Sequence, residues 1–253
     1  MGLFTAASLK SHQANRTTLE AVAAPAFQPP PVRATCDWTV DAEIENAVDR
    51  LWSRLRRGER GSGGLTQQVW AVAHWEPGEG ATTIAAALAL RAAQVDPVAT
   101  FCLADCDFFS PRLSALTGLE AEPGLSNVVT GTASLDNALA GTRMPNLFVL
   151  PAGNPPLGRR AAEMYERCRD LWEQLALRFN YVLLDLPVLR DYPTFASWTS
   201  GLAEALLVVR AGQARQQAVA QAMRTFKIMR LEVAGLVLNA REYYVPKWLY
   251  ART

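Results

Sequence analysis

From residue 67 onward the chain alternates short runs that are apolar throughout with longer stretches of helical periodicity, and this alternation constrains the fold most. The runs are VWAVAHW, VATFCLAD, FVLPAG, YVLLDLP, ALLVVRAG and VAGLVLNA, and the helical stretches include TTIAAALALRAAQ, 159–178 and 214–230. A strand with one wet face alternates apolar and polar residues, whereas a strand that is apolar at every position must be covered on both faces. The pattern therefore predicts a doubly wound, mostly parallel α/β sheet. In such sheets ligands gather outside the carboxyl ends of the strands, so the residues just after each run are where chemistry is to be sought.

Composition narrows the class further. The chain has 253 residues, half of them apolar and 19% charged, which suits one sizeable folded domain and excludes wholesale disorder. A formal net charge of +1 gives no electrostatic case for nucleic acid. No run of about 18 apolar residues exists and the opening residues lack a secretory signal, so the cytoplasm is the expected compartment. Cys36, Cys102, Cys106 and Cys168 lack CxxC spacing, and His12 and His74 are the only imidazoles. Zinc and disulfides are poor readings, and buried thiols are expected at Cys102 and Cys168. The tryptophans at 52, 70, 75, 172, 198 and 248 are simplest as core or interface anchors.

The segment 1–35 ends in FQPPPVRAT, whose consecutive prolines favour an extended linker, and is expected to be a mobile tail. Residues 36–66 hold an amphipathic helix with Ile44, Val48, Leu51, Trp52 and Leu55 at helical spacing, followed by the glycine-rich break GERGSGG. That helix either packs on the domain or docks on a neighbouring subunit. Residues 67–241 form the α/β domain, and 242–253 a C-terminal tail.

VWAVAHW runs through EPGEGATT into an alanine-rich helix, the strand, glycine loop and helix order that a phosphate-binding loop requires. Gly78 and Gly80 allow close backbone approach, and the amides from Gly78 to Thr83 converge on a helix N-terminus, where an anion is favoured. A turn without a ligand has the same local sequence. Asp105 and Asp107 follow one strand and Asp185 ends another, an arrangement suited to a hydrated Mg²⁺ but open also to turn or capping roles. Thr82 supplies either a hydroxyl ligand or a helix cap.

Taken together these segments resemble the cytoplasmic domain of the bacterial tyrosine kinases of capsule and exopolysaccharide systems, within the MinD/ParA-type P-loop superfamily. VAHWEPGEGATTIAAALAL is similar to that family's Walker A segment, LADCDFFSPRL to its second acidic motif, and YVLLDLPV to its Walker B strand; the likeness spans roughly residues 40–241 in order. The resemblance implies a single P-loop NTPase-like domain. Pro77, Gly78, Glu79, Gly80, Ala81, Thr82 and Thr83 would then hold ATP or ADP, with Asp105, Asp107 and Asp185 as the catalytic carboxylates. Thr82, Asp105 and Asp185 would carry Mg²⁺. Asn239 falls where MinD-like relatives contact adenine, although it could simply end a strand. Arg210 is either a part of the nucleotide site or a structural ion-pair partner.

The departures weigh as much as the matches. The family's loop lysine is Ala81, and the only lysines in the chain are Lys10, Lys227 and Lys247. The arginine stretch after the second acidic motif is replaced by Phe108, Phe109 and Ser110, leaving Arg112 as a substitute only if the loop folds back. The C-terminal tyrosine cluster is reduced to Tyr243, Tyr244 and Tyr250. The expectation is therefore a degenerate (pseudo)kinase or ATPase-like protein of exopolysaccharide biosynthesis or export. It would be held at the inner membrane by a membrane chain-length or co-polymerase partner, with self-association open and no nucleic acid expected. The rivals are an active ATPase or tyrosine kinase with a substitute cation, and a MinD/ParA-like positioning ATPase, whose loop would carry a lysine near Glu76.

Overall fold

The computed structural model describes residues 29–35, 42–58, 69–154, 161–192, 196–199, 201–213 and 215–240. Seven strands make one sheet: β1 (Val69–His74), β2 (Phe101–Asp105), β3 (Ala140–Gly141), β4 (Leu147–Leu150), β5 (Tyr181–Asp185), β6 (Glu204–Arg210) and β7 (Glu232–Asn239). Their spatial order is β3-β4-β2-β5-β1-β6-β7. Every neighbouring pair is parallel except β3 with β4. The long helices are α1 (Ala42–Gly58), α2 (Ala81–Val95), α6 (Ala161–Arg178) and α7 (Gln216–Met229); α3 (Arg112–Thr117), α4 (Leu125–Thr130) and α5 (Leu135–Ala138) are short. This is the P-loop NTPase-like α/β fold.

Alternation along each strand divides the core in two. Ala71, Cys102, Val182 and Leu207 face α6 and α7, where Leu171, Trp172, Leu175 and Phe226 meet them. Trp70, Val72, Leu103, Leu183 and Leu206 face α2 on the other side. Both faces of β1, β2, β4, β5 and β6 are covered, which is why these strands carry almost no polar residues, whereas β7 is exposed at the sheet edge. Alanines let α2 lie close to the sheet, with Ala85, Ala89 and Ala92 wholly buried. Its outer side is covered in turn by α1, and this explains a helix that is apolar nearly all round.

Of the two roles open for α1, its aromatic anchor is used inside the domain. Trp52 is 2% exposed and lies edge-on to Tyr181 at 4.7 Å, Phe101 at 5.5 Å and Trp70 at 6.3 Å. Arg91 on α2 grips Asp49 on α1 through Nε at 2.8 Å and Nη2 at 3.1 Å. The thiols of Cys102, Cys106 and Cys168 are free and buried. Trp248 and the three C-terminal tyrosines lie outside the described residues, as does the glycine-rich break.

The end of the segment read as a mobile tail requires correction, because residues 29–35 pack along the sheet edge. Val32 bridges Gly141 in parallel sense. Gly141 N donates to Pro31 O at 2.9 Å, and Arg33 N and Ala34 N both donate to Gly141 O at 3.1 Å. Arg33 also ion-pairs with Glu122 and donates to Leu139 O at 2.7 Å. Prolines lack an N–H, but their carbonyls accept normally, so a proline-rich strap can cover an edge strand. At Gly141 a Cβ would stand 2.7 Å from Pro30 O, so the strap needs glycine there.

Trp52→Ala is expected to cost about 3–5 kcal/mol of unfolding free energy in urea. A stability unchanged within error would mean that α1 does not belong to the domain core.

Candidate nucleotide site

The loop between β1 and α2 is shaped by its two glycines and by one glutamate. Gly78 and Gly80 have φ of 84° and 90°, in the left-handed region that disfavours a side chain. A Cβ at Gly80 would also lie 2.2 Å from Asn239 Nδ2. Glu79 is 5% exposed and turns back into the loop, where Oε2 accepts from Trp75 N at 2.8 Å and Glu76 N at 3.0 Å. Asn239 Nδ2 donates to Glu79 O at 2.9 Å. The loop is thus braced from the end of β7. The first turn of α2 has no acidic residue and no side-chain cap, so its N-terminal amides stay available for an anion.

Beside the loop lie the carboxylates. Asp105 and Asp185 are register partners at the ends of the adjacent strands β2 and β5, and they are 0% and 3% exposed. Ser114, in the first turn of α3, donates to Asp105 Oδ2 from N and from Oγ, both at 2.8 Å, and Asp107 N donates to Oδ1 at 3.0 Å. Ser114 Oγ also accepts from Ala152 N at 2.9 Å, tying the end of β4 into the same network. Asp185 Oδ1 has no protein partner. Asp107 is half-buried, and its Oδ1 accepts from Phe109 N at 3.2 Å and Ser110 N at 2.9 Å, the turn role left open by the sequence.

Burial pushes the Asp105 carboxyl up to about 6 against the pull of its three hydrogen bonds. Burial drives Asp185 well above the ordinary carboxylate range, and the charge of Asp105 adds to this; the Thr82 hydroxyl, hydrogen-bonded to Asp185, pulls the other way. Two side-by-side buried carboxyls with one unpartnered oxygen fit a cation. Among the described residues no three His, Cys, Asp or Glu side chains form a protein-only metal site. The donor set of Thr82 Oγ1 and Asp185 Oδ1 accordingly suits Mg²⁺, which keeps several waters of its own.

On the other side of the loop is an open cleft of about 700 Å³, lined by Pro77, Gly78, Glu79, Arg210, Gln213 and Arg215. Arg210 is exposed at the end of β6, level with Asn239. Ala81 is 2% exposed and lies in the layer between α2 and the sheet, and Thr83 is exposed beside it. The structure thus brings Gly78–Thr83, Asp105, Asp107, Asp185, Arg210 and Asn239 to one end of the sheet. Two further residues had no sequence signal: Ser114 contacts Asp105 across nine positions, and His74 ends β1. Arg112, the substitute cation that the sequence left open, exerts its positive charge on both His74 and Asp185.

No family model matches the chain. The tyrosine-protein kinase CpsD of Streptococcus pneumoniae serotype 4 is 27% identical over 181 residues, covering 72% of this chain and 79% of that protein. The tyrosine-protein kinase YwqD of Bacillus subtilis is 25% identical over 171 residues, or 66% and 69%. The chain is homologous to the bacterial tyrosine-protein kinases. The kinase domain of Escherichia coli tyrosine kinase ETK superposes with a TM-score of 0.69 at 21% identity, over 80% of this chain and 79% of that one. The Pyrococcus furiosus cell division ATPase MinD gives 0.57 at 23% identity, over 69% and 73%. Cobyrinic acid a,c-diamide synthase from Mycobacterium smegmatis, with an ATP analogue and magnesium bound, gives 0.55 at 22% identity, over 69% and 77%.

Asp185→Asn should raise the melting temperature at pH 8, where the buried pair repels itself, and the gain should shrink toward pH 5. The sign follows from carboxyl pKa values raised on folding: the folded state binds protons more tightly, so the penalty grows as pH rises above the ordinary carboxylate range and fades as pH falls back toward it. His74, lowered to about 4, opposes this trend below pH 6.5 equally in both proteins and cancels in the comparison. A destabilised Asn variant at pH 8 would contradict the uncompensated pair.

Proposed function

We propose that this chain is a degenerate relative of the tyrosine kinases that binds Mg²⁺ with ATP or ADP and turns it over weakly or not at all. It would serve exopolysaccharide biosynthesis or export beside a membrane chain-length or co-polymerase protein. The observation that carries the reading is Ala81, a buried methyl group in an otherwise intact frame of Gly78, Gly80, Thr82, Asp105 and Asp185. In phosphoryl transfer most of the catalysis is positioning and electrostatic stabilisation, and a lysine in this loop neutralises the β and γ phosphates. A methyl group does neither.

The parts that remain support binding. The loop amides and the N-terminus of α2 would hold phosphate oxygens. Thr82 and Asp185 would hold Mg²⁺, which offsets phosphate charge, and the cleft beside Arg210 and Gln213 has room for a base and ribose. No helix among the described residues is long and apolar enough to cross a membrane, so membrane proximity would come through the partner. A second reading, an active ATPase or kinase with a substitute cation, draws support from the charge of Arg112 acting on Asp185. The positioning-ATPase reading has no such observation.

ATP hydrolysis and autophosphorylation are expected near background, since one missing charge-stabilising donor costs about 10² to 10³ in rate. Turnover well above background that is abolished by Asp185→Asn would instead favour the active enzyme. Ala81→Lys is expected to tighten Mg-ATP binding by roughly ten- to a hundredfold, the value of one charge-assisted contact. Equal dissociation constants for two folded proteins would mean that the loop is not poised for phosphate.

A further inference from the structure

Ala81 removes the loop's cation, but the layer beneath the loop retains a nitrogen group that nothing in the fold uses. His74 closes β1 and is 9% exposed. Alternation along β1 sets it with Trp70 and Val72 on the face covered by α2. Asp105 on β2 and Asp185 on β5 share that face, two residues beyond Leu103 and Leu183. β2, β5 and β1 are consecutive in the sheet, and Asp105 and Asp185 are level with Val72, so His74 stands on the same face two residues beyond the carboxylates, toward the carboxyl edge.

Two atoms on that face, Asp185 Oδ1 and His74 Nδ1, are buried without a hydrogen-bond partner. Buried polar atoms are nearly always paired, and an orphan is commonly completed by a ligand, ion or water. The oxygen has a candidate in Mg²⁺; the nitrogen has none. The charges of Asp107 and Arg112 reach both groups, so the two lie in one electrostatic neighbourhood.

We propose that His74 is a phosphate-binding residue of this loop, donating a ring N–H to a nucleotide phosphate oxygen and so partly replacing the lysine lost at Ala81. The inference rests on the nucleotide reading above. Imidazole can serve because either ring nitrogen can carry the hydrogen. Burial keeps the empty ring neutral at pH 7, having lowered it to about 4, so the contact costs no buried charge before the phosphate enters. A neutral donor does less for a developing negative charge than an ammonium does, in keeping with binding that outlasts turnover.

The test uses the full chain with His74→Phe, which keeps the ring's bulk, and His74→Gln, which keeps an N–H. Mg-ATP and Mg-tripolyphosphate are titrated at fixed salt, after melting curves establish folding. The expected result is binding of both ligands weakened roughly ten- to a hundredfold by His74→Phe, with part of the loss recovered by His74→Gln. The imidazole nitrogen resonances of the original protein give a second readout. Only His12 and His74 contribute to them, and the His74 signals should shift on adding tripolyphosphate. If ATP binds and His74→Phe binds it equally well, or the ring signals stay still on saturation, the role of His74 is overturned while the nucleotide reading stands. If the original protein binds neither ligand, both fall. Should His74→Phe not fold, the ring signals decide.

Discussion

The carboxyl end of the sheet is organised by two acidic groups that folding forces together. Parallel pairing sets Asp105 and Asp185 opposite each other on β2 and β5, and coverage of both sheet faces removes them from water. Such a pair is costly unless protonated or met by a cation. Much of the surrounding structure answers this cost. Ser114 and the amide of Asp107 satisfy Asp105, Thr82 reaches Asp185, and one oxygen stays open. The glycine loop is held beside this pair by bonds of its own through Glu79 and Asn239, none of which requires a lysine. The frame therefore stands with alanine at position 81, because it is built from backbone amides and a buried network independent of that side chain.

The edge strap joins the same network from the far side. Thr35 N donates to Thr117 O at 3.0 Å at the end of α3, and Ser114 in the first turn of α3 holds Asp105. Residues 29–35 are therefore one short helix away from a site carboxylate. The aromatic cluster of Trp52, Trp70, Phe101 and Tyr181 fixes α1 and α2 at the opposite, amino end of the strands. The end with the loop carries the polar chemistry.

What the sequence revealed follows from the range of each interaction. Strands buried on both faces are apolar at every position, so β1, β2, β4, β5 and β6 were legible, as were Asp105, Asp107 and Asp185 at their ends; β7 was legible from its apolar run although it lies exposed at the sheet edge. The loop glycines were legible because their conformation is local. By contrast, β3 has two residues and no pattern to detect. The strap was misread because proline signals a lack of donors and says nothing about what its carbonyls meet. Ser114 and His74 were passed over because their significance lies in contacts made, or left unmade, with residues distant in the chain. Asn239 has a tertiary partner in the Glu79 carbonyl that its place at a strand end does not suggest.

The central claim is that a phosphate-binding frame persists without its lysine. Amide hydrogen exchange with and without Mg-nucleotide tests it most directly. Added protection should appear in Gly78–Thr83 and in the Asp105–Ser114 segment, with little change in α1 or α6. Exchange that stays unchanged across the loop at saturating nucleotide, or protection confined to another part of the surface, would contradict it.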